Sequence, residues 1–133
     1  MTSVDDITGG LVRALGTRRV CAVYLFGSAA AGRMHPGSDI DLAVLFEEVP
    51  GALELLDLRM ELSDIAGRGV DLAVLNTASP ILAMQVLKHG RRLIVRDRVA
   101  EAEFVIKTIS MYYDLKRVRR PIEKNILRGA IYG

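Results

Sequence analysis

Apolar residues follow two different periods along this chain. Over 20–26 (VCAVYLF), 39–46 (DIDLAVLF), 70–75 (VDLAVL) and 92–95 (RLIV) they run almost without interruption. Short runs of this kind, rich in strand formers, predict buried strands. Over 52–66 (ALELLDLRMELSDIA) they recur every three or four positions. Leu55, Leu58, Leu62 and Ile65 then share one face of a helix, with Glu54, Asp57, Glu61 and Asp64 off it and Gly67 and Gly69 closing it. Residues 4–15 predict a shorter helix capped by Ser3, weakened by Gly9 and Gly10. Ser79 caps a helix that has Pro80 at its first position, runs to about Lys88 and has Gly90 beyond it. Asp97 caps a long helix over 97–120, which Pro121 breaks or kinks. Residues 27–38 (GSAAAGRMHPGS) are small and predict one helical turn followed by a loop.

The resulting order, α-β-α-β-α-β-α-β-α, predicts an α/β layer fold with a sheet of about four strands flanked by helices and a long helix at the C-terminus. The 133 residues suit a single domain, with its core over about 10–95 and a helical segment over 97–133. The last helix carries two apolar stripes: Val99, Ala102, Ile106, Ile109 and Tyr113, and Phe104, Met111, Leu115 and Val118. One stripe docks on the sheet. The other needs a partner to cover it, unless the chain's own tail does so.

Composition narrows the function. Eighteen basic and sixteen acidic side chains leave a formal charge of +2, too little for nucleic-acid binding by bulk charge. Lys116, Arg117, Arg119 and Arg120 form a local basic cluster that reads as a solvated face, an acidic-partner contact or an RNA contact. Cys21 is the single cysteine, which excludes an intrachain disulfide and a four-cysteine zinc site. His35 reads as a surface-loop residue and His89 as a helix C-terminal one, while Tyr112, Tyr113 and Tyr132 read as packing residues. No apolar run approaches the roughly 20 residues that span a bilayer. With Asp5 and Asp6 near the start and no apolar leader, the expected location is the cytoplasm.

The chemistry concentrates in carboxylates. Asp39 and Asp41 lie two apart at the start of a strand and point to one face, about 7 Å apart. Paired like charges on an apolar strand are costly, and a divalent cation removes the cost; hard oxygen ligands suit Mg²⁺ or Mn²⁺. DLAVL occurs at 41–45 and again at 71–75, which puts Asp71 in the same frame as Asp41. If those strands are neighbours with aligned starts, three carboxylates meet at one sheet edge. Upstream, Gly27-Ser28 sits where a strand turns into a helix, a place where backbone N–H groups suit a phosphate. The Gly-Ser turn meets the Asp pair most easily if the first two strands run antiparallel; the helix over 52–66 then allows a parallel crossover to the Asp71 strand.

Gly27-Ser28, ten residues, and then Asp39-Ile40-Asp41 resembles the GS-x10-DxD signature of the DNA polymerase β-like nucleotidyltransferase superfamily. The whole stretch GSAAAGRMHPGSDIDLAVLF is similar to minimal nucleotidyltransferases, and Asp71 matches the family's third carboxylate. The resemblance implies the nucleotidyltransferase fold with a mixed sheet. It implies Asp39, Asp41 and Asp71 as catalytic residues and ligands of two Mg²⁺ ions. Gly27 and Ser28 would hold the phosphates of a nucleoside triphosphate, with Ser38 as a further phosphate contact and Arg33 a weaker candidate.

Only about 60 residues follow Asp71, too few for a substrate domain. The acceptor should therefore bring its own binding surface. A chain of this size resembles the antitoxin half of HEPN–MNT toxin–antitoxin pairs. That resemblance implies transfer of AMP from ATP to a tyrosine of a HEPN-family RNase toxin, within a hetero-oligomer. The alternatives are an antitoxin acting by steric binding without catalysis, and a nucleotidyltransferase acting on a small molecule or an RNA end.

Overall fold

The computed structural model describes residues 4–32 and 37–132, with side chains over 6–32 and 37–117. Arg33 and His35, the Ser3 cap, and the side chains of Val118, Arg119, Arg120 and Tyr132 lie outside the described residues.

Among the described residues, nine elements follow one another: α1 (Val4–Leu15), β1 (Val20–Phe26), α2 (Gly27–Ala30), β2 (Ile40–Phe46), α3 (Ala52–Ala66), β3 (Val70–Val74), α4 (Pro80–His89), β4 (Arg91–Val95) and α5 (Arg98–Tyr132). The four strands form one mixed sheet in the order β3-β2-β1-β4. β1 runs antiparallel to both β2 and β4, and β2 runs parallel to β3.

Strand alternation splits the core into two layers. Val23 and Leu25 of β1, with Leu42 and Val44 of β2, face Ile7, Leu11 and Leu15 of α1 and Leu58 and Leu62 of α3. Ala22 and Tyr24, with Ala43 and Leu45, face Val86 of α4 and Phe104 of α5. Both central strands are buried on both sides, which is why their sequences are apolar without alternation.

The caps behave as the sequence predicts. The Ser79 hydroxyl accepts from the Leu82 N–H at 3.1 Å, and the Asp97 carboxylate accepts from the Ala100 N–H at 3.0 Å. Two expectations are corrected. The buried face of α3 runs through Leu58, Leu62 and Ala66, and Ile65 is 43% exposed. Neighbouring helical residues differ by about 100°, so turning Ala66 inward turns Ile65 out. Pro121 does not end the last helix, which continues to Tyr132. A proline removes one backbone donor, while the turns on either side keep theirs.

Candidate active site

The site is built where three chain reversals converge on one edge of the sheet. At the end of β1, Phe26 pairs with Asp41 across the antiparallel ladder. The chain then turns at Gly27, whose φ of +71° is left-handed, and enters the single turn of α2. A Cβ at Gly27 would overlap the Asp41 carboxylate oxygen Oδ2 and lie 3.2 Å from its Cγ. Only glycine satisfies both the backbone conformation and the contact. The first N–H groups of α2 have no intrahelical acceptor, and Ser28 stands among them.

β2 starts at Ile40, so Asp41 lies inside the strand and Asp39 just before it, not in the strand as the sequence predicts. The ladder begins where the Ile40 N–H donates to the Gly69 carbonyl at 2.9 Å. That bond brings Gly69 against Asp39: a Cβ there would come within 2.5 Å of Oδ1 and 3.1 Å of Cγ. Each aspartate of the pair is thus seated on its own glycine. From sequence, Gly69 reads only as a helix-ending residue; its role depends on a contact made across the sheet.

The parallel pairing of β2 with β3 matches Asp41 to Asp71, Leu42 to Leu72, Ala43 to Ala73 and Val44 to Val74. The repeated DLAVL segments therefore lie side by side in register. Asp41 feels its neighbours: burial, then the charge of Asp71, then that of Asp39 push its carboxyl above the ordinary carboxylate range. Asp71 is half exposed, and Arg59 of α3 reaches its Oδ1 at 3.3 Å while donating from Nε to the Val70 carbonyl at 3.2 Å. Arg59, like Gly69, gains its place at the site only from the tertiary fold. It sits on the polar side of α3, and nothing local marks it as facing an acid on another element. Ser38 is half-buried beside Asp39, and its carbonyl accepts from Arg68 at 3.3 Å.

Among the described residues, no group of three His, Cys, Asp or Glu side chains is gathered closely enough to cage a metal alone. The donor set still suits Mg²⁺. That ion is typically held by one or two carboxylates together with substrate phosphates, not by an all-protein cage. A cation beside Asp41 also relieves the repulsion from Asp71 and Asp39. Cavities of about 410 and 420 Å³ lie at the opposite end of the sheet, around Arg19, Phe46 and Asn76, and hold none of these residues.

An edge of paired acids beside a glycine turn that opens backbone N–H groups is suited to nucleotidyl transfer. Comparison with known proteins gives the same class. Residues 12–99 match the family model described as Polymerase beta, Nucleotidyltransferase, and the chain belongs to that family. It is 36% identical over 105 residues to the protein adenylyltransferase MntA of Shewanella oneidensis, covering 79% of this chain and 75% of that one. Among solved structures, a toxin–antitoxin complex with AMP-PNP contains a similar chain at 32% identity and a TM-score of 0.79, covering 90% of this chain and 98% of that one. The structure of the tri-AMPylated Shewanella oneidensis HEPN toxin in complex with MNT antitoxin contains a similar chain at 28% identity and a TM-score of 0.76, covering 94% of this chain and 99% of that one.

Proposed function

We propose that this chain is an antitoxin of the HEPN–MNT type, which transfers AMP from ATP to a tyrosine of a HEPN-family toxin and so silences it. The observation that carries the reading is the register pairing of Asp41 with Asp71, with Asp41 seated against Gly27. The relatives are named as protein adenylyltransferases, and the similar solved chains come from toxin–antitoxin complexes, one with a nucleotide analogue and one with an AMPylated toxin.

In this reading the whole chain acts as one catalytic domain, in the cytoplasm. Asp39 and Asp41 would hold Mg²⁺, as two ions with Asp71 completing the second site. Bound there, the metal supplies charge neutralisation for the triphosphate and lowers the cost of ionising the attacking hydroxyl. Gly27 presents its backbone to the phosphates without a side chain in the way, and Ser28 adds a hydroxyl donor. Ser38 flanks Asp39 as a further phosphate contact. The tyrosine oxygen forms a bond to the α-phosphorus, the bond from that phosphorus to the bridging oxygen of pyrophosphate breaks, and the tyrosine proton passes to Asp71 or water. The half-exposed position of Asp71 at the edge strand leaves room for a hydroxyl carried by another protein.

The test is to incubate the purified chain with ATP and Mg²⁺, with and without its cognate HEPN-family protein, and weigh that protein by mass spectrometry. A gain of one or more AMP masses, lost with Asp41→Asn, supports the reading. No gain, with a stable complex and lost RNase activity, replaces it with steric neutralisation. AMP transfer to RNA without a partner replaces it with a nucleic-acid substrate.

A further inference from the structure

The inner side of α5 is accounted for, Met111 at 44% exposed excepted: Phe104 packs into the core, Thr108 and Glu101 are buried, and Tyr112 stacks under the ammonium groups of Lys88 and Lys116. Its outer side is not. Val99 is 68% exposed, Ile106 69%, Ile109 41% and Tyr113 57%, with Ala102 also exposed between them. Single exposed apolar residues are ordinary, but five along one line are not.

The spacing of that line identifies what fits it. The five positions are separated by three, four, three and four residues. This is the a/d pattern of a heptad seam, whose period of 3.5 matches a second helix lying along it at a shallow angle. A sheet edge or an extended peptide does not select that period. The seam spans roughly 21 Å, or two heptads. Coiled coils that stand alone need about three to four heptads, and Ala102 in the middle adds little apolar area. A second copy of this chain would therefore gain too little from the seam. A partner that brings further contact area, such as the protein whose hydroxyl must also reach the carboxylate edge, is the better match.

We propose that the outward seam of α5 is the docking site for one amphipathic helix of the AMP-accepting protein. The proposal rests on the adenylyltransferase reading for the identity of that protein. Docking on α5 gives the chain a grip on its acceptor that the edge acids alone do not provide.

The experiment uses the full chain and its cognate HEPN-family toxin, with binding followed by isothermal titration and self-association by analytical ultracentrifugation. Ile106→Glu/Ile109→Glu is expected to weaken toxin binding about 100-fold, as loss of two central seam residues does, with ATP binding and the melting temperature retained. Toxin binding as tight as that of the unchanged chain overturns the proposal. So does a dimer of the unchanged chain that the double variant dissolves while toxin binding persists, because the seam then serves a second copy. Should the double variant misfold, Ile106→Ser and Tyr113→Ala, each at a solvent-facing position, read the same surface. Asp41→Asn separates the two readings. If it binds toxin at full affinity and transfers no AMP, both stand; if it still transfers AMP, the catalytic reading fails while the docking result is judged on binding alone.

Discussion

Asp41 and Asp71 are register partners on adjacent parallel strands, and Asp41 is pushed toward its protonated form by burial first and then by Asp71 and Asp39. A carboxyl whose folded value is raised adds full stability below its unfolded value, near pH 4, and loses it as pH rises through the folded value. At neutral pH the ionised group is therefore a cost. Asp41→Asn should raise the melting temperature of the ligand-free chain by roughly 1–4 °C. The gain should shrink toward zero near pH 3, and AMP transfer should be lost at every pH. Calorimetry over pH 3–8 checks it; a variant that melts lower than the unchanged chain at pH 7 contradicts it.

Gly27→Ala meets two obstacles at once, a left-handed backbone and the Asp41 carboxylate. The strain costs on the order of 1–3 kcal/mol, and the displaced Asp41 should lower the rate of AMP transfer at least 100-fold. Denaturant titration and single-turnover kinetics measure the two effects separately. Retention of near-normal transfer would show that Asp41 has room the geometry denies it.

Gly67 and Gly69 offer a controlled contrast. Gly67 caps α3 with φ +69° and has open space around it, whereas Gly69 faces Asp39. Gly67→Ala should cost about 1 kcal/mol of stability with transfer unchanged. Gly69→Ala should instead lower transfer about 10-fold or more and raise the Mg²⁺ concentration needed for half-maximal rate. The comparison is decided by a magnesium titration of both variants; equal Mg²⁺ dependence would remove Gly69 from the site.

Tyr24 donates its hydroxyl to the buried carboxylate of Glu101, which Arg92 also approaches at 3.4 Å. Burial, then the hydrogen bond to Glu101, hold the phenol well above its ordinary value, so it stays a donor throughout the working range. Tyr24→Phe leaves a buried carboxylate one partner short and should cost about 1–3 kcal/mol. Tyr24 lies away from the carboxylate edge, so the activity of the folded fraction should persist. Urea melts together with specific activity test both halves; unchanged stability would mean that Arg92 alone satisfies Glu101.

The element order, the Gly-Ser turn and the three aspartates are legible in the linear chain, because apolar period, caps and short motifs are local properties. The linear chain also carries the geometric hint of the repeated DLAVL. Strand order emerges only on folding, and with it the register that sets Asp41 beside Asp71 and Phe26 opposite Asp41. Folding also places Asp39 outside its strand, seats it on Gly69 and brings Arg59 to Asp71. These relations join residues far apart in the chain through sheet pairing and helix crossing, and a linear pattern does not encode a partner on another element. The two stripes of α5 were legible as periodicity. That Phe104 faces the sheet, with Val99, Ile106, Ile109 and Tyr113 turned outward and Met111 also left 44% exposed, was settled only by the packing.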